Sequence, residues 1–324
     1  MNSPSDRENA RTVTVLAGGI THERDVSLRS GRRVADSLTA HGLHVELRDP
    51  DATLLGHLAD VRPDVIWPAL HGASGEDGAL RGVLEALDIP FVGSSASAAR
   101  LAWDKPTAKA LVARAGIHTP RSVTLSHDAF RELGAVSVLR AIADEHPVPL
   151  VVKPARGGSA QGVTVVDDIA GLPRAMVDAY TYCEDVLVEQ KIVGTEVAIG
   201  VIDTGDGPVA LPAVEIVPRS GFYGFEARYN AGETRFFTPA RLDESVGAAA
   251  AVAAVSAHSA LGLRHLSRVD LIIDAAGTAW FLEVNVLPGL TETSLVPLAL
   301  EAAGYDLGWL YAELAEKAIS DHNA

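Results

Sequence analysis

Along the first hundred residues, short apolar runs alternate with longer mixed stretches. TVTVLAG (12–18) reads as a buried strand ending at Gly18-Gly19, and DVSLRSGRRVADSLTAHG (25–42) as a helix stopped by Gly42. Strand signals recur at HVELRD (44–49), DVIWPAL (64–70) and IPFVGS (89–94), with a helix near 76–87. Such alternation predicts an α/β unit with a parallel sheet. A helix follows over 99–115, closed by Gly116. TPRSVTLS (119–126) and PLVVKPA (149–155) read as strands with a helix between them. GVTVVDD (162–168), a helix around 171–181 and DVLVEQKI (185–192) complete a smaller α+β block. The last third sets the strands EVAIGVID and PVALPAVEIVP beside a long loop (218–238), an Ala-rich helix (247–263) and a hairpin (268–285). The expected fold class is therefore mixed α/β and α+β in three consecutive modules, 1–98, 99–188 and 189–324, the first built on the parallel sheet.

The hairpin RVDLIIDAAGTAWFLEVN places acids in an apolar setting. With Ala276 and Gly277 at the tip, Leu271 faces Leu282, Ile272 faces Phe281, and Ile273 faces Trp280. Asp270 then faces Glu283, with Asn285 two residues beyond. Like charges directly opposite destabilise a sheet. Either these acids pair with Arg268 or sit at a wet edge, or they hold a divalent cation, for which Asp, Glu and Asn oxygens suit Mg2+.

Composition narrows the partners. At 324 residues, two or three domains are expected. Lys+Arg 27 against Asp+Glu 42 leaves a net charge of −15, which argues against nonspecific binding to nucleic acid or anionic membrane. A single cysteine, Cys183, excludes an internal disulfide and suits a reducing cytoplasm. MNSPSDRENAR at the start lacks the apolar core of a signal peptide, and the Ala-rich stretch, interrupted by Ser and His, reads as a packed helix rather than a membrane span.

Three further segments carry chemistry. In KPARGGSAQGV (153–163), Lys153 ends a strand and a glycine-rich loop with Ser159 leads into the next. Glycines let backbone amides approach phosphate oxygens, although the segment reads equally as a flexible hairpin and is not a P-loop. Downstream, VEQKIVGTE offers a strand edge for a purine, with Glu189 and Glu196 placed for a ribose. HGASGEDGALRG (71–82) and LAGGITHERDVSLRSG (16–31) each follow a parallel strand and open a helix, where α/β proteins bind ligands and anions. Glu23 there either complements the helix dipole or holds an ammonium group.

Taken in order, these segments resemble the D-alanine–D-alanine ligases of the ATP-grasp superfamily over nearly the whole chain. Matching pieces are GGITHERDVSLRSG, HGASGEDGALRG, DK (104–105), VVKPARGGSAQGV, VLVEQKIVGTE, FYGFEARY (222–229), RVDLIID and FLEVNVLPGLTETSLVP (281–297). The resemblance implies a three-module ATP-grasp architecture behind an N-terminal parallel-sheet domain. It further implies ATP and two Mg2+ ions, with Mn2+ able to substitute, held by Asp270, Glu283 and Asn285. Lys105, Lys153, Gly158 and Arg228 would serve the phosphates. Glu189, Gln190, Lys191, Ile192 and Glu196 would serve the nucleoside. Glu23, with Val26 and His71, would take the first D-alanine, and Ser294 with Leu295 the second. Arg268 and the Gly289 N–H would form the oxyanion site, and Tyr229 would join Ser159 and Glu23 in a latch. A cytoplasmic homodimer supplying peptidoglycan precursor, with no nucleic-acid or membrane partner, follows from the same likeness.

Departures from the family pattern cluster at the loops. Gly157 stands where Glu is usual, Ala160 where a second Ser is common, Arg228 where Lys is usual, Arg81 where Gln is found and Phe225 where Tyr is common. Gly157, Ala160 and Arg228 favour a same-fold ligase that joins or cyclises another D-amino or hydroxy acid in a specialised pathway. Glu23, His71, Tyr229 and Ser294 favour the dipeptide-forming reading. A non-catalytic ATP-binding regulator is disfavoured by the intact Asp270, Glu283 and Asn285.

Overall fold

The structure is a computed structural model that describes residues 10–230 and 232–324, without the side chain of Tyr229. The polar start of the chain, residues 1–9, lies outside the described residues. The N-terminal unit holds β1 (Thr12–Leu16), α1 (Arg24–Ala40), β2 (His44–Arg48), α2 (Leu54–Val61), β3 (Val65–Pro68), α3 (Ala73–Glu76) and α4 (Ala79–Ala86). Its three strands form the expected parallel sheet in the order β2-β1-β3. Two details differ from the reading of the sequence. The helix expected near 76–87 runs from Ala79 to Ala86, and a separate short turn, Ala73–Glu76, precedes it, with Gly78 in a left-handed conformation between them. The 89–94 strand contracts to a single bridge, Ile66 to Phe91.

Next come α5 (Ala96–Trp103) and α6 (Lys105–Arg114), where one helix was expected over 99–115. The break at Asp104 has a local cause. Pro106 has no N–H to give the Ala102 carbonyl and its ring would clash there, so one helix cannot run through it; it is tolerated in a first turn, and the Asp104 carboxylate caps that turn by accepting Thr107 N–H at 3.0 Å. A four-stranded antiparallel sheet follows, built from β4 (Ser122–Ser126), β5 (Leu150–Pro154), β6 (Thr164–Val166) and β7 (Asp185–Gln190) in the order β4-β7-β5-β6. It is backed by α7 (His127–Glu132), α8 (Ala135–Glu145) and α9 (Leu172–Tyr180) around a core that includes Leu150, Val152, Met176 and Val186.

The final unit contains β8 (Gly194–Ile202), β9 (Val209–Ala210), β10 (Val214–Pro218), α10 (Phe225–Tyr229), β11 (Thr234–Phe237), α11 (Glu244–Ala260), β12 (Leu266–Asp274) and β13 (Ala279–Asn285). These strands make a six-stranded antiparallel sheet, β11-β10-β8-β12-β13, with β9 on β8. The segment 218–238, read as a loop, holds α10 and β11. The chain closes with α12 (Leu295–Ala302) and α13 (Leu307–His322). The last helix returns to the first unit, where Tyr311 meets Trp67 with ring centroids 5.1 Å apart. One apolar cluster thus runs from Val13, Val34 and Trp67 through Leu310 and Leu314 to Val214 and Val296.

The hairpin turn differs by one residue from its expected geometry. Asp274 N–H donates to Thr278 O at 3.0 Å, and Gly277 supplies the left-handed residue of a three-residue loop. Leu271 consequently pairs with Phe281, Ile272 with Trp280 and Ile273 with Ala279, not with the partners predicted above. A β-bulge then steps Leu282 out of the ladder, and Asp270 does pair with Glu283, as expected.

Candidate functional site

A cleft of 330 Å³ separates the four-stranded sheet from the six-stranded one. Its upper wall is β5 and β7. Because strand side chains alternate faces, Val151 and Lys153 reach the cleft while Leu150 and Val152 enter the core. Across the ladder Val151 pairs with Glu189, which is 2% exposed. Each Glu189 oxygen is held by a lysine at 2.5 Å, Oε1 by Lys153 and Oε2 by Lys109. Burial opposes ionisation of Glu189, but the two lysines prevail and hold its carboxyl below the ordinary carboxylate range. Gln190, Lys191 and Ile192 continue along the cleft edge from β7.

The glycine-rich loop joins β5 to β6. Ser159 and Ala160 both have left-handed backbone, with φ of 56° and 55°. Lys105, the first residue of α6, donates to Gly157 O at 2.7 Å and lies 3.5 Å from Glu283. Arg156 secures the root of the loop, binding Asp104 at 2.9 Å and Asp185 at 2.7 Å. Gly158 and Arg228 also line the cleft, and the Arg228 guanidinium lies 4.5 Å from the Tyr223 ring centroid.

The lower wall carries the acids. Arg268 clamps Asp270 with two hydrogen bonds, of 2.7 and 2.8 Å. Despite its burial, Arg268 has its pKa raised by Asp270, so it stays charged. Burial also opposes ionisation of Glu283, but Lys105, followed by Arg228, Lys153 and Arg268, outweighs it and holds the carboxyl down at about 2. Glu196, opposite Ile272 on β8, is pushed up to about 7 by burial; Arg228 opposes the rise, while Asp270 and Glu283 add to it. Asn285 Oδ1 accepts Leu287 N–H at 3.1 Å. The opposed Asp270 and Glu283 carboxylates, with the Asn285 amide beyond, form an all-oxygen donor set that fits Mg2+, which takes one or two carboxylates and completes its shell from water and phosphate. Among the described residues no group of three or more His, Cys, Asp or Glu makes a denser metal cluster.

At the mouth of the cleft the N-terminal unit contributes Glu23, which accepts a hydrogen bond from Ser159 Oγ of the glycine-rich loop. Gly72 lies against Glu23: a Cβ there would sit 2.7 Å from Glu23 Oε2. The neighbouring His71 is buried. Its Nδ1–H donates to Leu287 O at 3.1 Å, so its neutral Nε2 accepts from Ser30 Oγ at 3.0 Å. Burial first of all lowers its pKa and keeps it neutral. Ser30 Oγ in turn accepts Leu290 N–H at 3.2 Å, which joins α1 to the segment after β13. There Ser294 Oγ accepts Thr291 N–H at 3.1 Å and stands 2.7 Å from where a Gly289 Cβ would fall. Leu295 is buried and Val26, in the first turn of α1, is half-buried.

The structure thus gathers the expected phosphate, nucleoside and acidic residues in one cleft. It sets Glu23, His71, Ser294 and Leu295 around the adjoining junction. The Tyr229 side chain expected in the latch lies outside the described residues. Sequence reading missed Lys109, although its position one turn after Lys105 puts the two on one helix face. It also missed Glu76, a buried acid whose Oε1 accepts Gly72 N–H at 3.0 Å and whose pKa burial raises to about 8.

Two antiparallel sheets closing on a lysine-bearing glycine loop, opposite a hairpin of acids and behind a parallel-sheet unit, define an ATP-grasp fold. Models of the D-ala D-ala ligase N-terminus and C-terminus match residues 53–94 and 111–316. A D-alanine--D-alanine ligase of Anaeromyxobacter sp. (strain Fw109-5) is 42% identical over 310 residues, 95% of this chain and 96% of that protein. Among solved structures, the VanG D-Ala:D-Ser ligase from Enterococcus faecalis superposes with a TM-score of 0.81 at 28% identity, over 94% of this chain and 98% of the other. The ATP complex of D-alanine--D-alanine ligase from Bacillus anthracis gives 0.79 at 26% identity, over 97% and 99%. The chain belongs to the D-alanine–D-alanine ligase family.

Proposed function

We propose that this chain is an ATP-dependent ligase that joins two D-alanine molecules into D-alanyl-D-alanine through an acyl phosphate, supplying peptidoglycan precursor. The observation that carries the reading is the meeting of Glu23 with Ser159, which brings an amino-acid-binding acid to the lip of the cleft where Lys105, Lys153, Asp270 and Glu283 converge. The three units 1–98, 99–188 and 189–324 then divide the work into substrate capture, nucleotide cover and phosphate chemistry.

Glu23, assisted by Val26 and the neutral His71, orients the first D-alanine by its ammonium group. The carboxylate of that D-alanine attacks the γ-phosphate of ATP, forming the acyl phosphate as ADP leaves, and Lys105, Lys153, Arg228 and the amides around Gly158 balance the charge that spreads over the transferred group. Glu196 and the 190–192 edge hold the nucleoside, with Glu189 beneath, its two oxygens taken by Lys109 and Lys153. Asp270, Glu283 and Asn285 would hold Mg2+, two ions in the fullest form, which when bound screens the phosphates and polarises their oxygens. The amine of the second D-alanine, once deprotonated, attacks the acyl carbon. Ser294 and Leu295 position that substrate, while Arg268 and the Gly289 N–H steady the tetrahedral oxyanion until phosphate departs. The Ser159–Glu23 contact keeps water from the acyl phosphate.

The same reading places the enzyme in the cytoplasm as a homodimer, in keeping with ATP as substrate and a single cysteine. No helix among the described residues is long and apolar enough to cross a membrane. The test is phosphate release from Mg·ATP with D-alanine, L-alanine, D-serine, or D-alanine plus D-lactate, with products identified by mass. D-alanine-dependent release with formation of the dipeptide is expected. Release with another acid alone would reassign the substrate.

A further inference from the structure

Lys109 is a buried cation that the reaction as drawn leaves without a task. It is 4% exposed and lies behind Glu189, outside the lining of the cleft, while Lys153 reaches into the cleft itself. Among the described residues its side-chain hydrogen bond and ion pair go to Glu189 alone, at 2.5 Å. The α6 helix presents Lys105 and Lys109 on one buried face, the first to the glycine loop and Glu283, the second to Glu189. One carboxylate therefore has two lysines, one on each oxygen, and the group carries an excess positive charge.

That excess matters when a nucleotide arrives. In this structure the Lys153 ammonium is engaged by Glu189 Oε1. A phosphate that competes for this ammonium weakens that contact, and a buried carboxylate left short of its partner is strongly unfavourable. A second lysine on the far oxygen removes the obstacle, because Glu189 keeps a countercharge throughout. The geometry points to Lys109 as a positioning residue for nucleotide binding: by neutralising Glu189 from behind, it lets Lys153 exchange the carboxylate for a phosphate oxygen of ATP. This inference rests on the reading of the cleft as an ATP site. Lys109 touches no reacting atom; it sets the availability of Lys153 and the orientation of Glu189. With one lysine in place of two, Lys153 would be held by Glu189, and the nucleotide would have to compete with a buried ion pair.

The test is calorimetric titration of Mg·ATP, without D-alanine, into wild type, Lys109→Met, Lys109→Arg, Glu189→Gln and the Lys109→Met/Glu189→Gln double variant. Lys109→Met keeps the length and apolar stem of the side chain but removes the charge, and is expected to raise the Kd for ATP by about tenfold or more. Steady-state assays should show the KM for D-alanine within about twofold of wild type, a split that general unfolding of the site would not produce. Lys109→Arg should recover ATP affinity to within about threefold, since it restores the charge. In the Glu189→Gln background, where no carboxylate competes for Lys153, Lys109→Met should add less than about twofold. ATP affinity in Lys109→Met equal to wild type overturns the inference, as does an undiminished loss in the Glu189→Gln background. Should Lys109→Met fail to fold, the comparison of Glu189→Gln with the double variant decides alone, because neither leaves a buried carboxylate short of a partner. Failure of the wild type to bind ATP would instead remove the reading of the cleft, a result distinct from wild-type binding with an indifferent Lys109.

Discussion

Asp270 and Glu283 face each other across β12 and β13 because Leu282 is bulged out of the ladder between them. The bulge turns Leu282 and Glu283, neighbours in sequence, toward the same cleft, where both form part of the lining. Glu283 keeps its charge there through Lys105 and its fellow cations. Glu283→Gln preserves the shape and removes the charge. With Mg·ATP and saturating D-alanine, kcat should fall by roughly a hundredfold or more, the scale of several kcal/mol of charge stabilisation. Titrating Mg2+ and then Mn2+ should show a raised metal requirement, and a wild-type kcat at low Mg2+ would count against the acids as metal ligands.

Ser159 holds Glu23 from the tip of the glycine-rich loop. Ser159→Ala should loosen that closure and admit water to the acyl phosphate. The expected result is uncoupling: phosphate released per dipeptide formed rises severalfold, while dipeptide formation slows by about tenfold, the worth of one hydrogen bond to a charged group. Parallel phosphate and dipeptide assays measure it. An unchanged ratio would mean that the contact orients Glu23 without sealing the site.

Gly72 is left-handed at φ 70° and leaves no room for a side chain beside Glu23 Oε2. Gly72→Ala strains the backbone and pushes the acid aside. We expect the KM for D-alanine to rise by about tenfold, with ATP affinity unchanged because Lys105, Lys153 and Glu189 stand in other elements. Equal losses for both substrates would point to general disorder.

Glu76 gives stability a dependence on pH. Its folded pKa, about 8, is raised by burial and then by Glu23. The folded chain therefore keeps a proton that the unfolded chain releases in the ordinary carboxylate range. This contribution is fully present below that range and lost as pH rises through about 8. Glu196 acts in the same sense but stops near 7. His258 and His265, lowered to about 4 chiefly by burial, act on the acid side. Urea denaturation should thus show wild type losing up to about 1.4 kcal/mol between pH 7 and 8. Glu76→Gln, which still accepts the Gly72 N–H, should flatten that slope; the same slope in both proteins would exclude Glu76 as its source.

Much of this arrangement was legible in the chain itself. The α/β alternation of the first hundred residues did produce a parallel sheet, and the glycine loop after Lys153 did join two strands. Other features escaped. Pro106 and Asp104, both visible in the sequence, broke a helix that hydrophobic content had carried across them. The three-residue turn at Gly277 and the bulge at Leu282 are compensating one-residue shifts. For that reason the Asp270–Glu283 pairing was foreseen while the pairs between it and the tip were not. Lys109 and Glu76 sit among ordinary helix residues, and a buried charge reveals itself only by its surroundings.

What the sequence by itself determined is whatever depends on neighbours along the chain: strand and helix periods, glycine turns, the cap at Asp104, and the grouping of acids on the hairpin. Only the tertiary structure decided what depends on approach between distant segments. It brought Ser159 to Glu23 and His71 to Leu287, and it set two lysines from separate elements on one carboxylate. The physical reason is range. Backbone preferences act over a few residues, whereas ionisation and hydrogen bonding in a cleft respond to whatever charge and burial the folded chain places within a few ångströms.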